Sequence, residues 1–138
     1  TTIYYRAYVY FPGPFFHDTT ISKWRTPANT TDDINLKLDL NMHIIIDADN
    51  ASEGPELRGV DAIPTGKWVC LDWRATLGTP GHELVFVDGV KQIDADEVNV
   101  TAAGYDVIGA GFVAAEPDHE ISVLFDDLIV SETLVGCP

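Results

Sequence analysis

Three runs of the chain alternate between apolar side chains and side chains that can do chemistry. In the first, Tyr4, Arg6, Tyr8 and Tyr10 alternate with Ile3, Tyr5, Ala7, Val9 and Phe11. In the second, Asn35, Lys37, Asp39, Asn41 and His43 alternate with Ile34, Leu36, Leu38, Leu40, Met42, Ile44 and Ile46. In the third, Trp68, Cys70, Asp72 and Arg74 alternate with Val69, Leu71, Trp73 and Ala75. Alternation of period two is the mark of a strand, so each run turns its polar set to one face. If the three strands share a sheet, one surface carries aromatic rings, amides, an imidazole and charges of both signs. Sugars are held by such surfaces, because rings stack on their apolar C–H faces while carboxylates, amides and guanidinium groups bond their hydroxyls. The plainer alternative is the solvated side of an antiparallel sheet. Against it stand the four aromatics Tyr4, Tyr8, Tyr10 and Trp68 on otherwise polar faces.

The same stripes hold the ingredients of an elimination. Abstracting the C5 proton of a uronate needs a base, and the adjacent carboxylate needs a cation or amide to neutralise it. Tyr8 or His43 supplies a base, and Arg6, Lys37, Arg74 or Asn35 a neutraliser, although no motif fixes them. A retaining glycosidase needs two carboxylates about 5–5.5 Å apart. Glu83 and Glu120 stand alone in the sequence, so that chemistry is not expected. Asp47, Asp49 and Asn50, with Glu53 close by, offer hard oxygen ligands of the kind calcium takes, and Asp126 and Asp127 offer more. The glycine of the EF-hand pattern is missing, and an ordinary acidic loop is the alternative.

Composition narrows the field. The 138 residues suffice for one domain with its own core, and 46% of them are hydrophobic. Purely apolar runs such as Ile44-Ile45-Ile46 and Leu84-Val85-Phe86-Val87 are only a few residues long, too short to cross a bilayer. The formal charge of −14, from 22 acids against 8 bases, argues against nucleic acid as a partner. More weakly, it argues against a polyanionic polysaccharide. A neutral glycan, a cation or a basic partner fits more easily. Neither Cys70 nor Cys137 has a neighbour at metal-site spacing. In an oxidising compartment a Cys70–Cys137 bridge would pin the C-terminal tail to the sheet; the alternative is two buried thiols. Sequons begin at Asn29, Asn50 and Asn99, consistent with a secreted glycoprotein. The chain opens abruptly on strand-like sequence, as if a signal or upstream segment had been removed.

Strands are predicted over 3–11, over 34–47 with a turn near Asn41, and over 66–76, 83–87, 90–93, 105–115 and 120–131. Asp88-Gly89 is the strongest hairpin signal. Residues 17–33 read as a polar loop whose Trp24 and Arg25 either cover a groove or pack the loop down. Residues 47–65 read as a second loop. Seven or eight strands without a helix predict an antiparallel β-sandwich. Trp73 shares its parity with Val69 and Leu71 and is assigned to the core. His17, His82 and His119 read as surface residues.

The segment from Gly66 through Trp73 is followed by Glu83-Leu84-Val85-Phe86-Val87-Asp88-Gly89. Then come Ile108-Gly109-Ala110-Gly111-Phe112 and Phe125-Asp126-Asp127-Leu128-Ile129-Val130-Ser131. In order and spacing these runs resemble the concanavalin A-like superfamily, especially laminin-G-like domains and jelly-roll polysaccharide lyases. The resemblance covers residues 66 to 137. It implies a jelly-roll topology, a glycan on the concave face and, in many members, a structural calcium; no other cofactor is implied. Full members are longer and begin with further strands, so the chain reads as a jelly roll lacking N-terminal strands, as a piece of a larger polypeptide, or as a fold completed by a partner chain. The expectation is a secreted, non-catalytic glycan-recognition module. A polysaccharide lyase using Tyr8, His43 and Arg6 is one alternative. The other is a structural subunit that pairs through sheet edges, as a homo-oligomer or otherwise.

Overall fold

The computed structural model describes residues 1–26, 29–49, 56–78, 80–97, 104–114 and 122–138. The described residues form ten strands: β1 (Thr2–Tyr10), β2 (Thr19–Thr26), β3 (Asn29–Leu38), β4 (His43–Asp49), β5 (Leu57–Ala62), β6 (Trp68–Thr76), β7 (Gly81–Val87), β8 (Val90–Glu97), β9 (Val107–Ala114) and β10 (Leu124–Ser131). They form two five-stranded antiparallel sheets. Sheet A runs β10-β1-β6-β7-β8 and sheet B runs β5-β4-β3-β2-β9. The fold is an all-β jelly-roll sandwich. No described helix is long and apolar enough to cross a membrane.

Alternation builds the core directly. Ile3, Tyr5, Ala7, Val9, Val69, Leu71, Trp73, Ala75 and Val85 of sheet A face Trp24, Ile34, Leu36, Leu38, Ile44 and Ile46 of sheet B. At its centre the rings of Trp24 and Trp73 stack with centroids 3.9 Å apart. Polar groups buried with them form hydrogen bonds. Trp24 Nε1 donates to Ser22 Oγ at 3.1 Å, Ser22 Oγ donates to the Gly109 carbonyl at 2.9 Å, and Trp73 Nε1 donates to Glu83 Oε2 at 2.5 Å. Burial pushes the Tyr5 hydroxyl up to about 12, partly offset by its hydrogen bond with Ser22.

Two predicted loops contain strands. Thr19–Thr26 is β2, with Trp24 fully buried, so Trp24 belongs to the core and covers no groove. A register shift between Thr20 and Ser22 breaks the parity of this run, which hides the strand from a period-two reading. Leu57–Ala62 is β5, mostly exposed.

The long second run divides where the sequence predicts. Asp39 Oδ1 accepts the Asn41 N–H at 2.8 Å and the His43 N–H at 2.9 Å, and Met42 takes the left-handed φ of 64°. Burial opposes ionisation of Asp39, but these amide donors, Arg58 and His43 together hold its carboxyl below the usual range. The β7–β8 hairpin turns on Asp88 and Gly89, both at positive φ, as Asp-Gly predicts.

On the β7–β8 surface, His82 lies between Asp96 Oδ1 at 2.9 Å and Asp94 Oδ1 at 3.1 Å. The hydrogen bond to Asp96 and then that to Asp94 raise its pKa, against some desolvation. A raised folded value means that His82 stabilises the fold fully below the unfolded value and ceases to do so as pH rises through the folded one. The stability difference between the wild type and His82→Gln should therefore be a fraction of a kcal/mol at about pH 5.5 and vanish by about pH 8.5. Denaturant unfolding at the two pH values checks this. A difference that grows with pH would contradict it.

Candidate functional site

The register places the three polar stripes on two different surfaces. Tyr4, Arg6, Tyr8 and Tyr10 of β1 stand opposite Arg74, Asp72, Cys70 and Trp68 of β6, so these two stripes meet on the outer face of sheet A. Asn35 and Lys37, by contrast, belong to β3 and His43 to β4, on the outer face of sheet B. Stacked sheets lie about 10 Å apart. Tyr8, Arg6 and His43 therefore cannot converge on one bond, because the core separates the first two from the third.

The C-terminal tail crosses the sheet A face. Cys70 and Cys137 form a disulfide. Arg6 Nη1 donates to the Gly136 carbonyl at 3.4 Å, and Gly136 packs beside the Asp72 carboxylate and the Arg74 guanidinium. Arg74 grips Asp72 through Nε at 3.1 Å and Nη2 at 2.6 Å and lies 4.7 Å above the Phe86 ring. Its hydrogen bonds to Asp72 raise its already high pKa. Arg74 and Asp72 are thus bonded to each other, Arg6 is bonded to the tail and to Asp127, and the rings of Tyr8, Tyr10 and Trp68 remain beside them.

The sheet B face is built differently. One row across it reads Gly109, Lys23, Asn35, Asp47, taken from β9, β2, β3 and β4. The next row on one side pairs Arg25 with Asp33, and the next on the other side pairs Lys37 with Ile45 and Ile45 with Arg58. Asn35 points away from the core yet is only 2% exposed, so it forms a recessed floor. Ion pairs frame it. Lys23 Nζ is 2.6 Å from Asp33 Oδ2, Lys37 pairs with Asp47, and Arg58 pairs with Asp39 and lies 3.0 Å from His43 Nδ1. Lys23, Arg25, Lys37 and Arg58 are four of the eight bases in the chain. An overall charge of −14 thus conceals a face on which half of the cations collect.

Physically, this face holds ammonium, guanidinium, amide and carboxylate groups in fixed positions at a half-dry surface. Each cation already meets an acid, so desolvating the face costs less than desolvating free charges. Gly109 puts no side chain beside Lys23, which leaves the backbone there open to close approach.

Sequence reasoning placed Asn35, Lys37 and His43 on strands, whereas Asp39 sits in the turn between β3 and β4; it did not single out Lys23, Asp33 or Arg58, and it read Arg25 as a loop residue. The parity of Lys23 and Arg25 against Trp24 was the available signal. Of the proposed calcium ligands, Asp47 is held by Lys37, the side chain of Asp49 is not described, and Asn50 lies outside the described residues. Among the described residues no group of three or more His, Cys, Asp or Glu side chains is disposed to hold a metal ion. Asn29 opens β3, whereas Asn50 and Asn99 lie outside the described residues.

No protein-family model matches the chain, and no curated protein matches it by sequence. Solved structures do match in fold. "Cellulose induced protein, Cip1" superposes with a TM-score of 0.73 at 16% identity, over 99% of this chain and 70% of that one. An endo-β-1,4-glucuronan lyase from Trichoderma reesei gives 0.71 at 10% identity, over 96% and 68%. Carbohydrate binding module CBM66 from Bacillus subtilis gives 0.64 at 12% identity, over 96% and 76%. A Caenorhabditis elegans galectin and several alginate lyases match as well. The fold is therefore the jelly roll shared by several carbohydrate-acting groups of proteins.

Proposed function

We propose that this domain engages a polysaccharide across the outer face of sheet B, over Lys23, Asn35, Lys37 and Asp47. The observation that carries the proposal is the sealed Asn35 floor framed by ion pairs from four strands. Rigid donors and acceptors at a recessed surface match the hydroxyl pattern of a sugar chain and lose little entropy on binding. The jelly-roll likeness to a carbohydrate binding module, a galectin and several lyases supports the same reading. The disulfide supports a secreted setting, since such bonds persist in oxidising compartments.

A second reading, β-elimination from a uronate chain, is favoured by two observations. Four of the matching solved structures are polysaccharide lyases. In addition, His43 stands beside Asp39 and Arg58 at the end of the Lys37 row. In this reading Lys37 neutralises the uronate carboxylate above the Asn35 floor and His43 takes the C5 proton. The C4–O4 bond then breaks, and the leaving oxygen gains a proton. Tyr8 and Arg6, on the other sheet, take no part.

One experiment addresses both readings. The protein is incubated with neutral glycans, glucuronan and alginate, with and without a chelator, while depletion and the ultraviolet absorbance of unsaturated chain ends are followed together. Depletion without absorbance supports binding alone, and absorbance growth on a polyuronate supports the lyase. Neither signal on any glycan would overturn the proposal.

A further inference from the structure

The rings left beside the tail on sheet A form a site of their own. Trp68 is 44% exposed, whereas Trp24 and Trp73, the other tryptophans of the chain, are fully buried. Tyr10 stands directly opposite Trp68, with ring centroids 5.7 Å apart and planes inclined at 53°. Next to this pair is a recess of about 290 Å³ lined by Tyr8, Trp68, Asp126 and Asp127.

The carboxylates reach this recess through a distortion of β10. Consecutive strand residues ordinarily face opposite ways. Here the β1–β10 register shifts between Arg6 and Tyr8, and Asp127 adopts a φ of 48°. The bulge turns Asp126 and Asp127 into the same recess. A left-handed non-glycine residue is strained, and two bonds hold the arrangement. Asp126 Oδ1 accepts the Asp127 N–H at 2.8 Å, and Arg6 Nη2 donates to Asp127 Oδ2 at 2.7 Å. Among the described residues Asp126 meets no base.

From this geometry we infer a second glycan site on the outer face of sheet A, one that takes a single neutral sugar ring. The C–H face of the ring lies on Trp68, with Tyr8 and Tyr10 as side walls. Its hydroxyls donate to Asp126 and Asp127. Charge selects the class of sugar: Asp127 is already paired and Asp126 is not, so the recess carries surplus negative charge and repels uronates. The opposite face, where bases gather, lacks this bias. The site is independent of the sheet B reading, because the core separates the two surfaces.

The tryptophan pattern gives a direct test. Only Trp68 is open to a reagent in solution, so N-bromosuccinimide should oxidise one tryptophan in the folded protein. Millimolar neutral gluco-, xylo-, manno- or galacto-oligosaccharides should slow that oxidation and shift the fluorescence, whereas oligouronates should do neither. By calorimetry, Trp68→Ala should weaken binding of the active oligosaccharide about tenfold or more, and Trp68→Phe should retain most of it. Should Trp68→Ala fail to fold, Asp126→Asn supplies the same comparison, with weaker binding expected from a poorer acceptor. If no neutral oligosaccharide protects Trp68, if oligouronates protect it better, or if the folded variants bind as the wild type does, the inference is wrong.

Discussion

Replacing Cys137 with serine should destabilise the protein by about 4 kcal/mol, which corresponds to a fall in Tm on the order of 10–20 °C. The bridge joins residues 67 apart in sequence, so its loss frees a long loop in the unfolded chain. In the folded state the same change releases the tail from Arg6, Asp72 and Arg74. Cys137→Ser is the cleaner variant because Cys70 is buried within β6. Thermal and denaturant unfolding of the variant, with the reduced wild type in parallel, checks the prediction. The two should agree. A loss under about 1 kcal/mol in both would show that the tail contributes little beyond its local contacts.

Trp24→Ala should cost a similar amount, about 3–5 kcal/mol. The substitution removes a fully buried ring that stacks on Trp73, lies 6.2 Å from Tyr5 and 5.8 Å from Tyr105, and donates to Ser22. The surrounding side chains come from both sheets, so the cavity cannot close without moving one sheet against the other. Trp24→Phe keeps a ring against Trp73 and forfeits the hydrogen bond, and its cost should be clearly smaller. Chemical denaturation of both variants decides the order. Equal costs would mean that the indole N–H, rather than packing, is what the core requires.

Trp24 also shows where sequence reading stops. Strands β1, β6 and the β3–β4 hairpin were legible because their alternation is unbroken and their core residues are large and aliphatic. The Asp88-Gly89 turn was legible because its conformation is local. Strand β2 was not, since a bulge resets its parity and its inward positions include Thr19, Ser22 and Thr26, polar by type yet buried. Strand β5 was not, because an exposed edge strand has no apolar face to reveal it.

The candidate site failed at a different point. Parity says which residues of a strand share a face, but not which strands share a sheet. Partnering of β1 with β6 and of β3 with β2 and β4 is decided by topology across long stretches of chain. The stripes were therefore legible, but whether they meet was not, and they form two surfaces. The cation beside Asp47, Lys37, was hidden from the sequence for the same reason, since it lies on the neighbouring strand. The disulfide partners were legible only because the chain holds two cysteines.

The proposal that sheet B carries the glycan face is tested most directly by comparing the wild type with Lys37→Ala against whichever polysaccharide the wild type depletes. Lys37 is partly exposed and lies outside the apolar core, so the variant should fold. Its removal leaves Asp47 without its ammonium partner at the edge of the Asn35 floor. Affinity, or initial rate if unsaturated ends form, should fall about tenfold or more. Unchanged binding by a folded Lys37→Ala variant would place the glycan elsewhere and contradict the account.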